Sequence, residues 1–101
     1  METNRFTLHR RALDALYQLR PEEQQQVNLA LELFARIPRK EWPVEDFRRV
    51  SDTEPLYILS IPPRVRLFVH MEEGVPPEIE DIALRDRLLA FQAMAKQQGF
   101  K

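Results

Sequence analysis

Two apolar runs separated by a pair of prolines fix most of what this chain can become. Leu56–Ile61 (LYILSI) has the β-branched and aromatic content of a strand. Pro62-Pro63 cannot continue a ladder, because proline has no N–H to donate, so the chain must turn there. The stretch that follows alternates cleanly. Val65, Leu67, Val69 and Met71 fall on one side and Arg64, Arg66, Phe68 and His70 on the other. That pattern predicts a hairpin with one buried face. Glu73-Gly74 through Pro77 marks a second turn.

The N-terminal half reads differently. Arg5–His9 predicts a short strand with Phe6 and Leu8 on one face. Ala12, Leu13, Leu16 and Leu19 then recur at helical spacing. Pro21 with Glu22 and Glu23 behind it marks a new helix start, since proline suits the first helical position and acids suit the first turn. Val27, Ala30, Leu31, Phe34 and Ile37 form the buried stripe of this second helix, and Pro38 stops it. The near-contiguous helices predict an antiparallel helical hairpin. Arg39–Pro55 is irregular, with a short extended piece expected over Phe47–Val50. Trp42 within it is read first as a cover for the core edge, with ligand stacking as the other role open to it.

Residues 78–97 are ambiguous from periodicity alone. Ile79–Leu84 fits either a helix start or a third strand, and Asp86–Gln97 has a helical pattern. The fold class expected is α+β: an N-terminal strand, a helical hairpin, a three-stranded antiparallel segment and a short C-terminal helix, all within one domain over residues 1–101. A chain of 101 residues with 44% hydrophobic residues supports one modest core.

Composition excludes several chemistries. There is no cysteine, so disulfides, thiolate catalysis and cysteine-based zinc sites are ruled out. Only two histidines are present, His9 and His70, and neither has a second at metal-ligand spacing, so no metal or other cofactor is expected. Two glycines are too few for a glycine-rich phosphate loop. No apolar run is long enough to span a bilayer and no secretion signal is evident, so a cytoplasmic protein with no membrane partner is expected. The net charge of −1 argues against a polyanion partner. Its distribution is uneven, however. Five of the sixteen acids lie between Glu72 and Asp81 with no base among them, which leaves eleven acids against fifteen bases elsewhere.

Three segments, in order, carry a resemblance. HRRALDALYQL (His9–Leu19) is similar to the opening helix of the RelE/ParE superfamily of bacterial toxins. LYILSI followed by RVRLFVHM (Arg64–Met71) resembles that family's hairpin with its central arginine. IALRDRLLAF (Ile82–Phe91) looks like its closing segment. The resemblance covers nearly the whole chain and makes Ile79–Leu84 a strand. It implies the toxin of a toxin–antitoxin pair, held inactive by a cognate antitoxin. RelE-like members are ribosome-dependent endoribonucleases that cut messenger RNA; ParE-like members act on DNA gyrase. By the same resemblance, Arg66, Arg85 and Arg87 would be the catalytic residues, clamping the charge that builds on the phosphorane oxygens. Arg64, His70 and Phe91 would contact RNA, and Leu88, Leu89 and Met94 would bind the antitoxin. Two departures bear on activity. The lysines of the RelE strand fall on Ile58 and Ser60, and the closing tyrosine is Phe91, which cannot move a proton. His70, on the Arg66 strand face, is an imidazole that could replace the lost base, a solvent-facing structural histidine being the other reading. Enzyme, gyrase-binding toxin and plain interaction domain, with the arginines merely paired to Glu78, Glu80 and Asp86, all stay open at this point.

Overall fold

A computed structural model describes residues 5–88. The elements are β1 (Thr7–Leu8), α1 (Arg10–Tyr17), α2 (Pro21–Arg36), two single 3₁₀ turns (Arg39–Glu41 and Val44–Asp46), β2 (Phe47–Arg49), β3 (Leu56–Ile61), β4 (Val65–His70) and β5 (Glu78–Leu84), with residues 85–88 helical. This is the expected α+β layout. The ambiguous segment Ile79–Leu84 is a strand. The three antiparallel strands β3, β4 and β5 form the centre of a five-stranded sheet of order β1-β5-β4-β3-β2. β2 adds antiparallel at one edge, and β1 adds parallel to β5 at the other. Most of the helix expected over Asp86–Gln97 lies outside the described residues.

Local chemistry explains the helix starts. His9 caps α1: its backbone is extended and its Nδ1 accepts the Arg11 N–H at 3.2 Å. Pro21 occupies the first turn of α2, and the Glu23 carboxylate reaches back to the Arg20 N–H at 3.2 Å. At the other end of α2, the Trp42 indole N–H donates to the Phe34 carbonyl at 2.9 Å and the Ile37 carbonyl at 3.0 Å. The Phe34 carbonyl also accepts the Ile37 N–H at 3.2 Å, so the indole adds a second bond at the end of α2.

Both helices lie on one side of the sheet, α1 against β5 and α2 against β3. They are consecutive, as expected, but their backbones do not run in close contact along their lengths; the sheet is the main packing partner of each. The core between them holds Ala12 and Leu16 of α1, Val27 of α2, and Phe47, Leu59, Ile61, Val65, Leu67, Val69, Ile79 and Ile82 of the sheet. Trp42 is buried and covers the core edge, stacked between Phe6 at 5.2 Å and Phe47 at 5.7 Å with Phe34 edge-on at 5.4 Å.

The alternation in β4 is realised for Val65, Leu67 and Val69, all fully buried. Arg64 departs from it. β4 begins at Val65, one residue after Arg64. Arg64 therefore does not join Arg66 on the outer face; its guanidinium reaches α2 on the helix side and grips Glu23.

Candidate functional site

The face of the sheet opposite the helices is assembled by register. Ser60 pairs with Arg66, and Arg66 with Ala83, so these three share one row. Ile58 and Phe68 form the next row, with Arg48 of β2 extending it. Leu56, His70 and Glu78 form the third. Partners in a ladder point to the same face. Arg66 therefore stands on the central strand between two small side chains. It is half-buried, and its guanidinium makes one hydrogen bond, from Nη1 to the Val65 carbonyl at 2.9 Å. Among the described residues no carboxylate lies within ion-pair distance of Arg66, Arg85 or Arg87. The alternative in which each arginine is paired to its own neighbouring acid is thus not the arrangement found.

Arg85 and Arg87 begin the closing helical turn, and both are exposed. The Arg85 backbone N–H donates to the Arg64 carbonyl, which ties this turn to the start of β4. Arg87 lines an open cleft of about 680 Å³ between α1 and the outer edge of β5, together with His9, Arg10, Arg11, Asp14 and Asp81. Ala83 lines the same cleft and is also the register partner of Arg66. Ala83 thus borders both the Arg66 row and the Arg87 cleft. In the sequence, Arg10 and Arg11 stand out only as part of the opening motif. Their clustering with Arg87 depends on α1 packing along β5, a long-range contact with no local signal.

The remaining predicted residues divide clearly. Arg64 is held by Glu23, with Nε at 2.6 Å from Oε2 and Nη2 at 3.3 Å from Oε1. The Arg64 hydrogen bond holds the Glu23 carboxyl below the usual glutamate range, against the opposing effect of its burial. Glu23 in turn holds the guanidinium above its ordinary value. His70 lies on the Arg66 face with Nε2 at 3.1 Å from Glu72 Oε1. Four residues of strand place it about 13 Å from Arg66 along β4. Leu88 is half-buried at the end of the described chain. Leu89, Phe91 and Met94 lie outside the described residues. Ile58 and Ser60, the positions where RelE-like toxins carry lysines, share the open face with Arg66.

Two further features delimit the chemistry. Among the described residues no group of three or more His, Asp or Glu side chains is placed to hold a metal ion, and no helix is long and apolar enough to cross a membrane. No known family model matches the chain, and no curated protein is significantly similar to it.

Proposed function

We propose that this chain is the toxin of a toxin–antitoxin pair, a RelE-like domain that acts in the cytoplasm on messenger RNA in the ribosome, with cleavage weakened by the loss of acid–base groups. The observation that carries the reading is Arg66. It stands on the central strand of the open face, between Ser60 and Ala83, with no carboxylate in ion-pair range among the described residues. An unneutralised guanidinium in that position suits a phosphate that gains charge during transfer. Arg87, beside Arg10, extends the cationic surface around the edge of β5, where Arg11 is paired with Asp81 at 3.9 Å. A strand of RNA laid across this edge would meet guanidinium groups on both sides of it. The antitoxin would cover this surface and the closing segment that carries Leu88, Leu89 and Met94.

One observation favours the second reading, a ParE-like toxin that blocks gyrase by contact alone. The described open face holds no lysine or tyrosine, and its one histidine is engaged by Glu72 away from Arg66. Proton transfer contributes about 10²–10⁴-fold to such reactions, so binding would survive where cleavage is weak.

The experiment induces the chain in a bacterial host and maps ends on a translated messenger by primer extension. Weak ribosome-dependent cuts are expected. Arg66→Ala should abolish them, and Ile58→Lys, Ser60→Lys and Phe91→Tyr together should strengthen them. No cuts in the wild type or in the restored variant would reject the ribonuclease reading and make gyrase supercoiling the informative assay.

A further inference from the structure

Helix α2 carries apolar side chains on two faces. Val27 is buried, with Ala30, Leu31 and Phe34 packed against the core beside it. Leu29 and Leu33 point the other way and are 54% and 60% exposed. They belong to a seam. Glu22, Gln26, Leu29, Leu33 and Arg36 are spaced four, three, four and three residues apart along the helix, and all five are exposed. That spacing is the one by which a helix presents a straight ridge to a partner helix.

We propose that this seam is the interface of a homodimer in which α2 packs antiparallel against α2 of a second copy. Charge selects both the partner and the direction. The seam is acidic at its N-terminal end, Glu22, and basic at its C-terminal end, Arg36, with Lys40 just beyond. A parallel pairing would set like charges together. An antiparallel pairing that sets Glu22 of one copy beside Arg36 of the other centres the two-fold on Leu29, so that Leu29 meets its own copy with Leu33 flanking on either side, and opposes the two helix dipoles. Among the described residues, neither Glu22 nor Arg36 makes an ion pair within its own chain. The two-fold contact uses the same patch on both copies, so it closes at a dimer and does not propagate into a filament. A ridge on one helix is a small interface, which places the equilibrium in the weak, reversible class. Because α2 covers the helix side of the sheet, pairing leaves Arg66 open on both copies. The inference therefore stands apart from the proposed function.

Sedimentation velocity on the full chain, from low micromolar to sub-millimolar concentration, provides the test. The weight-average mass should rise towards twice the monomer value. Leu29→Glu with Leu33→Glu should hold it at the monomer value while the far-ultraviolet circular dichroism stays unchanged, since both side chains are already exposed. Glu22→Arg alone and Arg36→Glu alone should each weaken association about tenfold, and the double reversal should restore it. A wild type that stays monomeric throughout overturns the proposal, including one that uses these leucines only for a different protein. So does a dimer indifferent to the leucine substitutions, or a double reversal that restores nothing.

Discussion

Glu23 and Arg64 show how a residue's role can hide behind its neighbours. The alternation through β4 is legible in the sequence and is correct for Val65, Leu67 and Val69. It misplaces Arg64 because alternation holds only inside the ladder, and α2 offers a buried carboxylate just outside it. The pairing gives a pH signature. Glu23 titrates below its unfolded value of about 4.3. A carboxyl with a depressed folded pKa contributes stability that is complete above the unfolded pKa and is lost as pH falls through the folded one. Glu23→Ala removes both the Arg64 partner and the acceptor for the Arg20 N–H, and should lower stability by about 2 kcal/mol at neutral pH. Glu23→Gln should also be destabilising there. Its difference from wild type should shrink as pH drops below 4, because the wild-type side chain is then neutral as well. Urea unfolding curves at a series of pH values check this; a difference that stays constant with pH would contradict the pairing.

Among the elements, β3 and β4 were readable because local signals agree: apolar alternation on either side of a proline turn. β5 was not settled by local signals, since a seven-residue stretch with paired acids fits more than one structure and only the family resemblance makes Ile79–Leu84 a strand. It becomes a strand because β4 needs a partner, and it carries a register shift at Glu80 between the Phe68–Asp81 and Val69–Ile79 pairs. β1 covers only Glu78 and Ile79 of its outer edge. Further along, Asp81 occupies that edge, its Oδ1 accepting the Ile82 N–H at 2.8 Å. A charge there discourages another strand from adding. Trp42 was legible as a core cover but not as a helix cap, because its indole bonds to carbonyls that only the folded end of α2 presents. The two roles are separable. Trp42→Phe keeps a stacked ring and loses the cap, and should cost about 1 kcal/mol. Trp42→Ala also leaves a cavity among Phe6, Phe34 and Phe47, and should cost about 3–5 kcal/mol. Chemical denaturation of both variants checks the difference; equal losses would mean the indole N–H contributes nothing separable.

For the molecule as a whole, a net charge of −1 conceals a division of labour among its arginines. Arg64 is neutralised by Glu23, whereas Arg66, Arg85 and Arg87 have no acidic partner among the described residues. Counting bases in the sequence treats these residues alike; only the packing of α2 on the sheet distinguishes them. Binding to single-stranded RNA should expose the difference through salt. Each phosphate contact contributes a slope of about −0.7 in log affinity against log salt concentration, so three free arginines predict a slope of about −2. Arg66→Ala and Arg87→Ala should each reduce it by about one contact, or about 0.7. Arg64→Ala should destabilise the fold while leaving the slope unchanged, since a guanidinium held by Glu23 releases no counterion on binding. Fluorescence anisotropy of a labelled RNA across a salt series measures all four slopes. An Arg64→Ala slope reduced as much as that of Arg66→Ala would mean Glu23 yields its partner to RNA. A wild-type slope near zero would remove the phosphate-binding face and leave contact with a protein target as the reading that the open face of the sheet supports.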